Sequence, residues 1–344
     1  MGTIYCLYNT DYDDELTAVA GVDVSAVEES ARSVTKGIVD SGRECRLLGV
    51  HGKKDMLDVL SNIKKESPSL VFNLVESLNG STRHEALMPY LYELFDIAYT
   101  GPSGQSISMC LHKDQSKDIL IRKGINTPKS MVFETPKCLE KESLKKKCAD
   151  IGYPLFLKLS REDASIGICE TNRCSDWNQV KTRANELLEK YKQPVLCEQY
   201  IEGREVNVML LGNHETLEVL PLHEIDFSAM PDDRPKIISY AAKWDEDHVD
   251  YEGTKPVLMK NVSDALQASI EKIAKDTFHA LDLRDYGRVD LRVDKNEIPW
   301  VIDVNPNCDI SPDAGAARCA KAHGLDYPAF IGRICELALE RQCA

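Results

Sequence analysis

The sequence has no apolar run long enough to span a membrane. Its first residues, MGTIYCLYN, place no basic segment ahead of a long apolar one, so a secretory signal is not expected. They read instead as a first buried strand. Twelve cysteines are present, yet no CxxC pair and no Cys/His cluster occurs. That excludes the common zinc frameworks and points to a reduced, cytoplasmic protein. There is no low-complexity tract and no short internal repeat, which excludes a repeat array. Positive charge is in deficit, with 42 Lys and Arg against 56 Asp and Glu and a net charge of -14. This disfavours nucleic-acid backbones as partners, although local basic patches can still hold phosphate.

The length of 344 residues exceeds one small core and suggests two or three domains. Hydrophobic content of 43% and charged content of 28% describe a soluble globular chain. Strands are expected at 3–8, 45–50 and 69–74, with helices at 24–41 and 55–65 between them. An acidic loop at 11–15 follows the first strand. Such alternation implies a parallel sheet with crossover helices. A helix at 85–95, a short strand at 97–101 and one long helix at 106–123 come next. Lys113 and Lys117, four apart, share a helix face, and a solvated surface pair accounts for them as readily as a task. Thr127-Pro128 opens a second unit. It has strands at 131–133, 154–159, 195–200 and 205–211, and helices at 139–148 and 177–191. The expected boundaries are 1–110, 111–213 and 214–344.

Three local features carry chemistry. The strand PLFLKL at 154–159 contains Lys158, whose ammonium needs a partner if the strand is buried. REDASIG at 161–167 is a small-residue loop whose N–H groups suit an anion, though it lacks Walker A spacing. The third is RDYGRVDLRVDKNEIPWVIDVNPN at 284–307. Val289, Leu291 and Val293 alternate with polar residues, a polar turn follows at 294–297, and Trp300 and Ile302 begin a second run. The resulting hairpin brings Asp290 near Asp303 and Asn305. Three oxygen-bearing side chains without Cys or His suit Mg²⁺. Ordinary surface acids on a solvated hairpin remain the alternative at this level. Residues 228–256 read as a long excursion, a mobile flap that includes Lys243. Helices are expected at 262–280, 314–322 and 327–341.

Taken as an ordered series, IAYTGPS, LHKDQSK, YPLFLKL, REDASIG, LCEQYIEGREVNV, RDYGRVDLRV and VIDVNPN resemble the ATP-grasp superfamily. The D-alanine–D-alanine ligase-like branch is the nearest match. The resemblance covers most of the chain from SLVFNL onward. It implies an α/β and α+β architecture, the ATP-grasp fold, with an N-terminal open parallel α/β domain. ATP would lie between the central and C-terminal domains. Lys113 and Lys158 match lysines that reach the phosphates. Glu198 and the backbone of Gln199, Tyr200 and Ile201 match the adenine-side linker, and Glu205 the ribose-binding acid. Ser165 and Gly167 match the loop over the phosphates, and Lys243 a flap lysine closing on them. Asp290, Asp303 and Asn305 match the Mg²⁺ ligands, with Mn²⁺ as a substitute ion. The family usually has Glu at the place of Asp303. Arg288 matches an arginine that stabilises the transferred phosphoryl group and the tetrahedral intermediate.

The substrate half departs from the pattern. Glu76 falls near the position of a ligase histidine, and residues 79–82 replace an acidic turn. Cys308 and Asp309 occupy the Pro-Gly places and Ala314 a serine place. The glycine-rich N-terminal loop is replaced by NTDYDDE. Arg83 and Asp309 are assigned to a substrate carboxylate and amine, with Glu28 and Glu76 as further substrate residues. Cys308 has no adjacent base in the sequence to support a nucleophilic role. The reading that follows is an ATP- and Mg²⁺-dependent carboxylate–amine ligase acting on amino acids or short peptides, with no nucleic acid or membrane partner. A homodimer is expected from the resemblance. A D-alanine–D-alanine ligase and a non-catalytic nucleotide sensor derived from one are the alternatives.

Overall fold

The computed structural model describes residues 2–10, 24–245 and 247–342. The expected acidic loop at 11–15 lies outside them. The chain opens with β1 (Ile4–Asn9), α1 (Val24–Asp40), β2 (Cys45–Val50), α2 (Met56–Glu66) and β3 (Leu70–Leu74). These strands pair in parallel in the order β2-β1-β3, as the strand–helix alternation requires. Then come α3 (Leu87–Leu94), α4 (Gly104–Leu111) and α5 (Lys113–Arg122).

Two expectations fail in this stretch. The strand at 97–101 reduces to a single bridge between Val71 and Tyr99. The long helix at 106–123 is two helices broken at His112, whose ψ is 82°. The break has a tertiary cause. The N–H of Lys113 leaves the helical ladder and donates to the carbonyl of Ser160 at 3.0 Å.

The second sheet contains β4 (Ser130–Phe133), β5 (Leu155–Leu159), β6 (Arg173–Cys174) and β7 (Val195–Gln199), ordered β4-β7-β5-β6 and antiparallel. Helices α6 (Glu142–Ile151) and α7 (Trp177–Tyr191) accompany it. The start of α7 follows from Asp176, whose side chain accepts from the N–H of Gln179. Leu155, Leu157 and Leu159 face a core with Val180, Leu187 and Leu188.

The third sheet uses β8 (Arg204–Leu211), β9 (Glu218–Val219), β10 (His223–Asp226), β11 (Lys255–Leu258), β12 (Tyr286–Val293) and β13 (Pro299–Asn305). The order is β11-β10-β8-β12-β13, with β9 on β8. The excursion at 228–256 carries α8 (Tyr240–Trp244), α9 (Val249–Glu252) and the start of β11, so it is more ordered than its composition implies. Its local caps explain this. Ser239 accepts from the N–H of Ala242 and donates to buried Asp250 at 2.7 Å. Helices α10 (Asp264–Ala280), α11 (Gly315–Ala322) and α12 (Tyr327–Gln342) complete the chain.

Alternation along β12 positions the site. Val289, Leu291 and Val293 are buried against Ile270, Ala274 and Phe278 of α10. Each such burial contributes about 1.5–3 kcal/mol. Arg288, Asp290 and Arg292 therefore share the opposite face. Phe330, Ile334 and Leu337 of α12 join a core with Ile4, Val34, Ile38 and Phe72, which also takes in Tyr286 at the start of β12. Asp285, fully buried, accepts from the N–H of Gly101 at 2.8 Å, from Asn213 at 3.0 Å and from Arg341 at 2.9 Å. It ties segments distant in sequence to one point. Among the described residues no helix is long and apolar enough to cross a membrane.

Candidate active site

A cavity of about 620 Å³ opens between the second and third sheets. Lys113, Lys158, Ser165, Glu198, Gln199, Tyr200, Ile201, Glu205, Lys243, Arg288, Asp290, Asp303 and Asn305 all line it. These residues come from β5, β7, β8, β12, β13, the α5 N-terminus, the 161–167 loop and α8.

One wall is a buried charge triad. Lys158 Nζ lies 2.9 Å from Glu198 Oε1, and Lys117 Nζ lies 2.7 Å from Glu198 Oε2. Side-chain exposures are 8% for Lys158 and 4% for Lys117 and Glu198, so these charges lean on one another rather than on water. Burial pushes the Glu198 carboxyl up, but Lys117 and Lys158 outweigh it and hold the group below the usual range. Burial brings Lys117 below the usual lysine range, and Glu198 only partly offsets that. The solvated-pair reading of Lys113 and Lys117 is thus corrected, because both are buried. Lys158 also donates to the carbonyl of Ile302 at 2.7 Å, which joins β5 to β13.

Opposite lies the acidic hairpin. Asp290 and Asp303 are direct partners across the β12–β13 ladder, with a register shift just after Asp290. Like charges facing one another are unfavourable unless cations compensate. Here Arg288 donates to Asp290 at 2.8 and 3.0 Å, and Lys113 donates to Asp303 at 2.8 and 3.1 Å. Lys113 also reaches Asp163 at 2.9 Å. Burial works against the Lys113 charge, but Asp163 and Asp303 outweigh it and raise its pKa. Asn207 and Asn305 add hydrogen bonds to Asp290 at 2.7 and 2.9 Å.

Two carboxylates and a carboxamide are hard oxygen donors, and their placement on paired strands fits Mg²⁺.

Above the cavity, Ala164 and Ser165 both adopt left-handed backbone, with φ of 52° and 60°. Two successive residues of this kind turn the loop sharply. Trp244 of α8 donates its indole N–H to the carbonyl of Ala164 at 3.3 Å, and the N–H of Tyr240 donates to Ile168 at 2.9 Å. The excursion is therefore docked on the loop. Lys243 is exposed toward the cavity with protein crowded around it. Burial first, and Arg288 second, lower its pKa, and its open side chain limits how far that goes.

Five expected residues do not line the cavity. The carbonyl of Gly167 accepts from Asn172 at 3.0 Å and Arg183 at 2.9 Å, so this residue braces the loop from behind. Glu28 is held by Arg32 one turn along α1, at 2.9 Å. Asp309 folds onto its own loop, accepting from Ser311 N–H at 2.8 Å and Oγ at 2.6 Å. Arg83 is exposed on the short 3-10 turn at Thr82–His84. Glu76 is exposed beyond β3; desolvation first, then Asp309 and Asp163, push it up to about 7. Cys308 is buried beside Met209, and burial pushes its thiol up to about 12, which leaves no nucleophile there.

Sequence reading missed Asp163, Asn207 and Arg292 on the wall. Arg292 carried a usable signal, since a charge between Leu291 and Val293 needs a partner as much as Lys158 does.

The D-ala D-ala ligase C-terminus family model matches residues 119–336. A D-alanine–D-alanine ligase of Pelotomaculum thermopropionicum is 31% identical over 288 residues, covering 83% of this chain and 84% of that protein. D-alanine–D-alanine ligase B of Clostridium perfringens is 26% identical, covering 83% and 85%. The structure of the Bacillus anthracis D-alanine–D-alanine ligase complexed with ATP superposes with a TM-score of 0.75 at 19% identity, covering 100% of this chain and 99% of that one. With the family model over most of the chain and the fold matched throughout, this chain belongs to the D-alanine–D-alanine ligase family of ATP-grasp, amide-bond-forming ligases.

Proposed function

We propose that this chain is an ATP- and Mg²⁺-dependent ligase that joins two D-alanines, with Mn²⁺ able to replace Mg²⁺. The observation that carries the reading is the meeting of Lys113, Lys158, Lys243 and Arg288 with Asp290, Asp303 and Asn305 on one cavity. The named relatives favour D-alanine over the broader substrate class expected from the sequence.

Asp290, Asp303 and Asn305 would hold the ion, which supplies positive charge to the phosphate oxygens. The backbone at Gln199–Ile201 would hold the base and Glu205 the ribose. Lys158 and Lys113 neutralise the phosphates as point charges. A substrate carboxylate attacks the γ-phosphorus, forming an acyl phosphate and releasing ADP. The amine of the second amino acid attacks that carbonyl. The tetrahedral intermediate then collapses to an amide, releasing phosphate and a proton. Arg288 stabilises the negative charge that develops in both steps. Lys243 and the 161–167 loop close over the phosphates and exclude the water that would hydrolyse the acyl phosphate.

Purified protein given ATP, Mg²⁺ and D-alanine alone should release ADP and yield a product with the mass of a dehydrated dimer. No ADP release with D-alanine, but turnover and condensation with another amino acid or peptide, overturns the D-alanine assignment and keeps the ligase. That second reading draws support from the substrate end. Ala314 caps α11 without a side-chain hydrogen bond, and Asp309 is turned onto its own loop.

The homodimer belongs to the same proposal. Leu87, Tyr90 and Leu94 of α3 are 45%, 45% and 71% exposed, and their spacing puts them on one helix face. A self-complementary apolar face of this kind suits a two-fold interface.

A further inference from the structure

Arg292 is the most connected charge on the cavity wall that the proposed reaction leaves without a task. It projects from β12 on the same face as Arg288 and Asp290, and it is 4% exposed. Its Nη2 lies 3.0 Å from Glu205 Oε2. Its Nη1 donates to the carbonyl of Gly203, in the turn between β7 and β8, at 3.1 Å. Nη2 also donates to the carbonyl of Lys236, inside the 228–256 excursion ahead of α8. The phenol of Tyr200 donates to that same carbonyl at 3.0 Å.

Aromatic rings frame the guanidinium. Arg292 lies 5.3 Å from the ring centroid of Tyr200 and 5.7 Å from that of Phe227, while Arg173 covers the Tyr200 ring at 5.2 Å. One side chain thus joins the linker at 199–203, the acid Glu205 and the segment that leads into α8, which carries Lys243. A planar fork with five donors can meet these acceptors together; an ammonium cannot.

From this geometry we propose that Arg292 is a positioning residue for nucleotide selection: it fixes the Glu205 carboxylate toward the ribose hydroxyls and locks the linker to the segment that leads into α8. This rests on the ATP-binding reading above, and specifically on Glu205 as the ribose acid.

Physical reasoning supports the assignment. Glu205 is buried, and its ion-pair partner is Arg292. Burial favours the protonated acid, and Arg292 opposes that. Without the guanidinium, Glu205 would rotate or take a proton. In either state it would lose the charged acceptor geometry that two neighbouring hydroxyls require.

The test compares binding of ATP, 2′-deoxy-ATP and 3′-deoxy-ATP by titration calorimetry in wild type, Arg292→Lys, Arg292→Met, Glu205→Gln and the Arg292→Met/Glu205→Gln double variant. Wild type should favour ATP over at least one deoxynucleotide by about tenfold or more, as expected for one charge-assisted hydrogen bond. Arg292→Met should bring that ratio toward one, and Arg292→Lys should restore only part of it. The double variant should lose no more discrimination than either single one. If Arg292→Met fails to fold, Arg292→Lys alone still carries the comparison.

Variants that weaken all three nucleotides equally, with the ratio retained, would overturn the inference and leave Arg292 a structural pillar. A wild-type protein that binds ATP without preferring its hydroxyls would also overturn it, at Glu205. Failure of the folded wild type to bind ATP would instead overturn the function proposed for the whole site.

Discussion

Lys158 and Glu198 meet diagonally across the adjacent antiparallel strands β5 and β7, 2.9 Å apart and almost wholly buried. Lys117 shares the same carboxylate from α5. The three therefore carry a single net positive charge. Lys158 is the member that also reaches β13, and it lines the cavity.

Lys158→Met should lower ATP turnover by about 10²–10³-fold, the range for removing one preorganised charge stabiliser. The fold should survive, because Lys117 still neutralises Glu198. Steady-state ADP release together with a melting curve checks both halves. Unchanged ATP affinity and turnover would remove Lys158 from the phosphate site.

Asp290→Asn should weaken the apparent Mg²⁺ affinity at least tenfold, roughly the loss of one charged ligand. Thermal stability should fall much less, since the carboxamide oxygen can still accept from Arg288 and Asn207. A Mg²⁺ titration that does not move would argue against the hairpin as the metal site.

Glu76 gives a pH signature of stability. Its folded carboxyl keeps its proton up to about 7, against 4.5 for the ordinary group. Between those values the folded state holds more protons than the unfolded state. Stability should therefore fall as pH rises through that window. The exposed side chain keeps the effect small. Glu76→Gln should flatten that part of a melting-temperature profile, and a profile identical to wild type would contradict the assignment.

Asp285→Ala should destabilise the protein by about 3–5 kcal/mol, because Arg341, Asn213 and the N–H of Gly101 lose a shared buried partner. Urea unfolding measures this directly. A loss below about 1 kcal/mol would mean that water replaces the carboxylate there.

Leu94→Glu should shift a dimer toward monomer in sedimentation at fixed concentration, because it sets a charge on the exposed α3 face. A mass unchanged from wild type would exclude α3 as the interface.

Periodicity located most elements within a residue or two: β2 and α7 occupy 45–50 and 177–191 as expected, and the hairpin turn falls at 294–297. Local rules suffice where caps and alternation agree. They failed at His112, where helical spacing runs on but the Lys113 N–H is taken by the carbonyl of Ser160, just past the end of β5. They also failed in 228–256, whose two short helices depend on Ser239, Asp250 and the docked 161–168 loop. Lys117 shows the limit for single charges. Its spacing from Lys113 and the strand at 195–200 were both visible in the sequence, but the packing that sets Glu198 of that strand against Lys117 was not. The substrate residues were the least legible, because Glu28, Arg83 and Asp309 sit where local partners or solvent decide their direction.

Trp244 projects from α8 with 60% of its surface exposed while its indole N–H rests on the carbonyl of Ala164. Of the three tryptophans it is the exposed one; Trp177 and Trp300 are half-buried. Any displacement of the excursion from the 161–167 loop changes the solvent around that indole. The protein thus carries its own fluorophore where the excursion meets this loop, and a change in its emission on adding ATP would report a displacement there without a label.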